Sequence, residues 1–218
     1  MNLAYTTNEF ATHQPCVLEI LNATTGNILE LGCGEGSTMM FRNFISDTRK
    51  LVSIESDKNW LNKYLHLQND NHQLYYVNAG NENTLQTGQA WVDFIETTLK
   101  DMTFDIVFID QSPWTSRFST LKYFMNRAKY IIVHDVDYFP RISHQMGKVV
   151  NEYITSIGQT RYTMDFSDIA KQFYVYYPTE KYTYPLSIPT LICSNIATKD
   201  EFDLMVQTIE GNKAKYYN

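Results

Sequence analysis

The chain has 218 residues, of which 44% are apolar and 19% charged. This balance excludes a disordered chain and predicts one globular domain. Lys and Arg number 18 against 24 Asp and Glu, so the net charge is −6 at pH 7, and we expect no general affinity for nucleic acid or acidic membranes.

Apolar strands and amphipathic helices alternate through most of the sequence. After a polar lead-in, a short helix is predicted at 15–21. Five strands follow, at 27–31, 50–54, 73–77, 104–109 and 130–133. The helices between and after them are predicted at 37–44, 58–67, 89–99, 118–127 and 144–157. Two further strands, at 171–177 and 190–193, and a last helix at 198–210 complete the chain.

This order of elements predicts an α/β fold. Strands that alternate with helices form βαβ units, whose strands are parallel. The last two strands are expected to pair antiparallel at an edge of the sheet. We therefore predict a single domain over 1–218, made of a lead-in (1–26), a ligand-binding core (27–137) and a C-terminal part (138–218) that completes the sheet.

Three observations bear on the cellular compartment. Cys16, Cys33 and Cys193 are far apart and form no CxxC pair, so neither a zinc site nor a disulfide framework is expected. The start, MNLAYTTNEF, lacks the pattern of a signal peptide. No apolar run is long enough to span a membrane. The expected location is the cytoplasm, with no membrane partner, and the oligomeric state is left open.

Polar groups follow all five predicted parallel strands. In such sheets a ligand binds beyond the carboxyl ends of the strands, near the point where the strand order reverses. The groups at these ends are Glu30 with Gly32, Gly34 and Gly36; Glu55 with Ser56; Asn78 with Ala79; Asp110; and His134 with Asp135 and Asp137.

The glycine turn after the first strand is the most informative of these groups. Its three glycines allow a tight turn and a close approach of backbone to a ligand. A dinucleotide loop, G-x-G-x-x-G, would need glycine where Ser37 stands, and no G-K-[ST] phosphate loop occurs. Glu30 and Glu35 would repel a pyrophosphate but suit a cationic ligand.

Glu55 adds a second requirement on the ligand. It lies 23 residues after Gly32, at the end of the next strand, where an acid can accept both hydroxyls of a ribose. Together these features describe a pocket for a positively charged nucleoside without phosphates, and S-adenosylmethionine is such a molecule.

ILELGCGEGST resembles the first motif of class I S-adenosylmethionine-dependent methyltransferases. VSIESD resembles their second-strand acidic motif and FDIVFID their fourth-strand motif, so the likeness spans about 27–137. It implies a Rossmann-like sandwich. It also implies that Glu30 and the turn (Gly32, Cys33, Gly34, Gly36) meet the methionine end, that Glu55 and Ser56 bind the ribose, and that Asn78, Ala79 and Asp110 line the adenine or methyl side. Asn78 departs from the acid often found there.

The residues after the fourth and fifth strands favour an oxygen acceptor. The D/N-P-P-[YF] motif of amino methylation is absent, since Asp110-Gln-Ser-Pro-Trp stands there. Asp110, His134 and Asp135 resemble the acids of cation-dependent O-methyltransferases, which implies Mg²⁺ held by Asp110, Asp135 and Asp137. His134 departs from that pattern, because His is a poor Mg²⁺ ligand but a good base. In the other mechanism, which we favour, His134 or Asp110 removes the proton without a metal.

Trp114, Arg117 and Tyr138 follow the two acidic strand ends and are predicted to lie on loops above the methyl group, where they contact the acceptor. Aromatic faces with polar tips suit a sugar ring. The expected activity is O-methylation of a small polyhydroxyl acceptor, a sugar or glycan. A catechol-like compound, a nucleic acid or a protein are alternative acceptors. Other readings are a non-catalytic cofactor-binding module and a nucleotide-binding oxidoreductase or epimerase. Some residues also have purely structural interpretations: Gly32 and Gly36 as close-packing positions and His134 as a strand cap. For His13, in the stretch T-H-Q-P, a position over the cofactor and a loop role are equally open.

Overall fold

The computed structural model describes residues 9–82, 84–136, 166–178 and 188–217. In this part of the chain seven strands form one sheet. The strands are β1 Ile28–Leu31, β2 Leu51–Glu55, β3 His72–Tyr76, β4 Phe104–Ile109, β5 Ala128–Val133, β6 Gln172–Tyr176 and β7 Thr190–Ser194. The α-helices are α1 Gln14–Asn22, α2 Thr38–Arg42, α3 Lys58–Asn62, α4 Leu85–Thr98, α5 Trp114–Phe124 and α6 Lys199–Tyr217.

The strand order across the sheet is β3-β2-β1-β4-β5-β7-β6. Strands β1 to β5 are parallel to one another, whereas β7 is antiparallel to both of its neighbours, β5 and β6. This confirms the predicted fold class, a mostly parallel sheet with an antiparallel edge. The chain runs from β1 outward to β3 and then returns to the other side of β1 as β4. The strand order therefore reverses between β1 and β4, which puts a ligand crevice at their carboxyl ends.

Helices cover both faces of the sheet, which explains the nearly continuous apolar strands. One face packs against α4 and α5, with Leu29 and Leu31 of β1 contributing to that core. The other packs against α1, α2 and α6, with Ile28 of β1 on that side. Alternation along β1 puts Glu30 on the second face, paired in register with Ser53 of β2 and Phe108 of β4.

The helices differ from prediction mainly at their ends. Helix α5 begins at Trp114, four residues before the predicted start. Ser116 and Arg117 of its first turn are buried, whereas Trp114 is 42% exposed. Helix α4 begins directly after Thr84, whose side chain accepts a hydrogen bond from the Thr87 N–H. Helix α6 continues past Gly211 to Tyr217. The helix predicted at 144–157 lies outside the described residues. None of the described helices is both long and apolar enough to cross a membrane.

Candidate active site

The glycine turn after β1 lies directly against the end of β4. Gly32 has a φ of +91°, and a Cβ there would stand 2.6 Å from the carbonyl oxygen of Asp110. Only glycine satisfies both conditions without strain. A Cβ on Gly36 would stand 2.8 Å from the Phe10 carbonyl oxygen, so this glycine admits the chain that precedes α1. Close packing alone explains why position 36 is glycine, whereas position 32 also needs a residue that readily adopts a positive φ.

Glu30 lies beneath the turn and is fully buried. Its Oε1 accepts hydrogen bonds from the Ser37 and Thr38 hydroxyls, at 2.6 and 2.9 Å, and its Oε2 accepts one from Ser53 at 2.6 Å. Thr38 Oγ1 in turn accepts the Gly34 N–H at 3.0 Å. Burial raises the pKa of Glu30 to about 7 despite these donors. Glu30 therefore holds the turn from within, and its contact with the methionine end of the cofactor stays a prediction.

A chain of hydrogen bonds continues from Glu30 across the sheet. His72 Nε2 lies 3.0 Å from Ser53 Oγ, and Arg42 donates to His72 Nδ1 at 3.1 Å. Burial and the Arg42 charge lower the pKa of His72 to about 4. A neutral His72 that accepts at Nδ1 carries its proton on Nε2 and donates it to Ser53, which leaves the Ser53 hydroxyl proton for Glu30. Every member of this chain has a partner.

Glu55 ends β2 with both carboxylate oxygens held by backbone N–H groups. Oε2 accepts from Cys33 at 2.8 Å, and Oε1 accepts from Ser56 and Asp57 at 2.7 and 2.8 Å. Burial raises the pKa of Glu55. The Trp60 indole N–H donates to the Cys33 carbonyl, so the turn and the end of β2 form one unit. Oε2 keeps acceptor capacity for a ligand hydroxyl, whereas Oε1 already accepts two N–H groups.

The residues after β4 and β5 form a charged cluster, which we call the reacting centre: Asp110, Arg117, His134 and Asp135. His134 Nδ1 lies 3.5 Å from Asp110 Oδ1 and 3.3 Å from Asp135 Oδ1. Arg117 lies 3.0 Å from Asp110 Oδ1 and 3.5 Å from Asp135 Oδ2. The two carboxylates are partly exposed, whereas His134 and Arg117 are buried behind them. The expected meeting of Asp110, His134 and Asp135 is therefore observed.

The electrostatics of the cluster favour separated charges. Burial works to raise the pKa of Asp110, but Arg117 and His134 outweigh it and hold that pKa at about 2. Burial likewise works to lower the pKa of His134, but the Asp135 and Asp110 carboxylates outweigh it, so this pKa lies above its ordinary value. Asp135 has a φ of +53°, a conformation that Asp adopts more readily than most residues.

Arg117 has a different position from the one its sequence suggested. We expected it on a loop, in contact with the acceptor, but it lies on α5 and is only 4% exposed. Its guanidinium donates to the carbonyl oxygens of Gln111, His134 and Asp110, at 2.8, 2.7 and 3.2 Å, besides facing the two carboxylates. Arg117 therefore joins the ends of β4 and β5 from below.

Two residues before α1 complete the surroundings of His134, and sequence reasoning did not assign them there. Thr12 Oγ1 lies 3.0 Å from His134 Nε2. The His13 ring centroid is 4.5 Å from that of His134, with the rings inclined at 75°. Burial and the His134 charge lower the pKa of His13 to about 3. No local pattern predicts these contacts, because 122 residues separate Thr12 from His134.

The remaining predicted residues lie at the same end of the sheet. Ser56 Oγ lies 3.4 Å from the Ser112 carbonyl, Asn78 is exposed after β3, and Ala79 is buried. Trp114 is 42% exposed at the start of α5. Two predicted residues, Asp137 and Tyr138, lie outside the described part of the chain.

The reacting centre fits Mg²⁺ poorly. One ligand atom each of Asp110, His134 and Asp135 lies within 4.8 Å of the others, so the three could approach one ion. Mg²⁺ prefers oxygen ligands in octahedral geometry, and the set includes an imidazole. Both carboxylates also already face the Arg117 guanidinium, and an added dication would stand beside that charge.

No family model and no curated protein matches the chain. Solved structures do match. A candidate O-methyltransferase from Klebsiella pneumoniae is 18% identical, with 84% of this chain and 79% of that one covered, at a TM-score of 0.50. A spermidine synthase bound to the transition-state analogue AdoDATO is 14% identical, with 90% and 64% covered, at a TM-score of 0.53. At such identities the likeness concerns architecture, and the chain has the fold of the class I S-adenosylmethionine-dependent methyltransferases.

Proposed function

We propose that the chain is an S-adenosylmethionine-dependent O-methyltransferase that acts on a hydroxyl of a small polyhydroxyl acceptor, such as a sugar or glycan. One observation carries the proposal. The Glu55 carboxylate is oriented by three backbone N–H groups beside a positive-φ glycine turn, and that turn touches Asp110 of the reacting centre. A nucleoside site and a charged centre are thus adjacent.

The described residues fit S-adenosylmethionine. Glu55 can accept a ribose hydroxyl at Oε2, and the glycine turn lies beside it. The Glu55 carboxylate favours a cation over a pyrophosphate. When bound, S-adenosylmethionine supplies a methyl group activated by a positively charged sulfur.

The reacting centre would manage the proton of the acceptor hydroxyl. Both His134 nitrogens face protein groups, namely Thr12 on one side and the two carboxylates on the other. This favours His134 as the residue that holds the carboxylates, in place of the base we first expected. Asp135 is partly exposed and has longer contacts to Arg117 than Asp110 has, so Asp135 is the better group to accept the proton.

A metal-free reaction suits this arrangement. Arg117 and His134 together balance the two carboxylates, which is the charge that a divalent ion would otherwise supply. The half-exposed Trp114 at the start of α5 offers an aromatic face for a sugar ring. The net charge of −6 disfavours a nucleic-acid acceptor.

The cofactor part is tested by calorimetric titration with S-adenosylhomocysteine, the product of methyl transfer. Glu55→Gln should weaken binding by roughly 1–3 kcal/mol, since it leaves buried hydrogen-bonding groups mispaired. Glu35→Gln is the matched control: Glu35 is an exposed carboxylate of the same turn, and its loss should cost less than about 0.5 kcal/mol.

Two results of this titration would overturn the cofactor assignment. One is no binding at millimolar S-adenosylhomocysteine. The other is tighter binding of 5′-methylthioadenosine, the product of aminopropyl transfer, which would point to the reaction named for the spermidine synthase neighbour.

The acceptor part is tested by incubating the protein with S-adenosylmethionine and a panel of monosaccharides, catechols and amines. We expect methylation of a sugar hydroxyl that persists in the presence of a chelator. Asp135→Asn should abolish it and leave S-adenosylhomocysteine affinity unchanged, because Asp135 contacts neither the turn nor Glu55. Loss of turnover with chelator, restored by Mg²⁺, would contradict the metal-free mechanism. Methylation of amines alone would contradict the oxygen acceptor.

A further inference from the structure

The five residues before and at the start of α1, Phe10 to Gln14, reach both parts of the site; we call them the N-terminal link. At the glycine turn, Gln14 Nε2 donates to the Gly36 carbonyl at 2.7 Å. The Phe10 carbonyl and Ala11 occupy the space that a Cβ on Gly36 would need, at 2.8 and 3.2 Å. The link and the turn are therefore closely packed against each other.

The same link contacts the reacting centre through its middle. Thr12 Oγ1 lies 3.0 Å from His134 Nε2 and 3.4 Å from the carbonyl oxygen of Ile188, just before β7. The His13 ring packs at 4.5 Å against His134 and at 4.7 Å against Phe108 of β4. The His134 ring is thus tethered at one nitrogen by the link and at the other by two carboxylates.

The link is built as a rigid part of the fold. Ala11 and Thr12 are fully buried, and His13 and Gln14 are nearly so. The His13 carbonyl accepts the Val17 N–H at 3.1 Å, which joins the link to the first turn of α1. Buried and hydrogen-bonded segments of this kind open only with large parts of the structure. A change at one end of the link is therefore felt at the other.

We propose that the N-terminal link holds the His134 ring at a fixed position relative to the glycine turn, and that Thr12 is a positioning residue for that ring. The inference deepens the proposed function, because the turn and the centre are a cofactor site and a reacting centre only if that function holds. The physical reason is geometric: a ring held at one nitrogen can rotate about its side-chain bonds, whereas a ring held at both cannot.

The test follows the His134 ring N–H signals by NMR in protein labelled with ¹⁵N-histidine, without cofactor or acceptor. Thr12→Val should speed exchange of these protons with water about tenfold, the effect of one lost buried hydrogen bond. Thr12→Ser, which keeps the hydroxyl, should stay within about twofold of the native rate. The His72 ring, held by Arg42 and Ser53, provides a reference in the same spectra. Equal His134 exchange in Thr12→Val and native protein overturns the positioning role.

Thr24→Val controls for the loss of a buried threonine hydroxyl as such. Thr24 bonds to the Ile20 carbonyl and to Arg49 at the far end of α1, so its loss should leave His134 exchange unchanged. Faster His134 exchange in Thr24→Val, to the extent seen in Thr12→Val, would mean that general destabilisation explains the effect and would also overturn the role.

Gln14→Leu tests the link itself, because Gln14 bonds to the turn through Gly36. We expect His134 exchange to rise by about threefold, part of the effect of losing one hydrogen bond. No change would overturn the link and confine the effect to Thr12. Failure of the proposed function would instead appear as native protein that does not bind S-adenosylhomocysteine in calorimetry, while these NMR results stand.

Discussion

Two regions at the carboxyl end of the sheet contain acidic side chains that are shielded from solvent. In one region the acid is protonated near neutral pH, and in the other its charge is balanced by cations. Beneath the glycine turn, Glu30 is surrounded by hydroxyl donors, and burial raises its pKa to about 7. At the ends of β4 and β5, Arg117 and His134 outweigh burial and hold the pKa of Asp110 at about 2. The first acid accepts a proton near neutral pH, whereas the second stays charged.

The two regions also differ in how completely their polar atoms are paired. Both oxygens of Glu30 have partners, and the chain through Ser53 to His72 is satisfied. Among the described residues, His13 Nδ1 and Nε2 and Gln111 Nε2 near the reacting centre have no hydrogen-bond partner, and His134 Nδ1 meets its two carboxylates only at ion-pair distances. Near the glycine turn the Tyr64 hydroxyl is likewise unpartnered. Native proteins pair most buried polar groups, and a catalytic role is one explanation of an exception. The fully paired chain around Glu30 is therefore scaffold, and the charged cluster with its less completely paired surroundings is where we expect chemistry.

The largest test of this contrast removes the charge that balances the second region. Arg117→Met should lower the free energy of unfolding by about 3–5 kcal/mol, because it leaves two partly buried carboxylates without their cation and three carbonyl oxygens without a donor. Urea unfolding at neutral pH measures the loss. Arg127→Met is the control: its guanidinium is exposed and bonds to the Tyr123 carbonyl, and its loss should stay within about 0.5 kcal/mol.

A loss at Arg117 no larger than at Arg127 would show that the cluster does not depend on its buried cation. Another positive group would then have to balance Asp110 and Asp135, and a bound divalent ion would be the first candidate.

The next test concerns the scaffold and is a pH dependence. The pKa of Glu30 is about 7 in the folded chain against an ordinary value of 4.5, so between these limits the folded state keeps a proton that the unfolded chain releases. The contribution of Glu30 to the free energy of unfolding is therefore fully present below pH 4.5 and is lost as the pH rises towards 7. Relative to Glu30→Gln, which cannot titrate, the native protein should lose about 3 kcal/mol across that window.

Paired urea unfolding curves at pH 5, 6 and 7 give this difference directly. The comparison with Glu30→Gln cancels the other groups that titrate in the same range, which include His72 and His13. If the free energies of unfolding of the native protein and of Glu30→Gln change in parallel with pH, the raised pKa is contradicted. Glu30 would then be an ordinary charged carboxylate.

The sequence predicted the scaffold better than the centre, for a physical reason. Strand alternation, the glycine turn and the acid after β2 are local patterns, and each appears where it was expected. The burial of Glu30 follows from β1 being covered on both faces, which the continuous apolar strand already indicated. Its partner Ser53 was not assigned, because pairing across strands depends on register.

The reacting centre was predicted by its strand ends alone. Asp110, His134 and Asp135 follow adjacent parallel strands, so their meeting could be inferred. The position of Arg117 could not be inferred, because the polar stretch around it suggested a loop, whereas Arg117 lies buried in the first turn of α5. Thr12 and His13 reach His134 only through tertiary packing of α1, which leaves no local signal in the sequence.

The smallest expected effect concerns His13 and tests whether its two buried ring nitrogens destabilise the folded protein. This ring is 1% exposed, and neither nitrogen has a partner among the described residues. His13→Phe keeps a ring against Phe108 and His134 and removes two unpaired polar atoms, so it should raise the free energy of unfolding by about 1 kcal/mol at pH 7.5. The folded-state pKa of about 3 means that stability falls as the pH drops below 6.5, where only the unfolded chain takes up the proton. The gain in the free energy of unfolding of His13→Phe over the native protein should therefore grow from pH 7.5 to pH 5 in urea unfolding.

A variant less stable than the native protein at both pH values would show that the His13 nitrogens contribute to folding. The contrast between a paired scaffold and an unpaired centre would then fail at that residue.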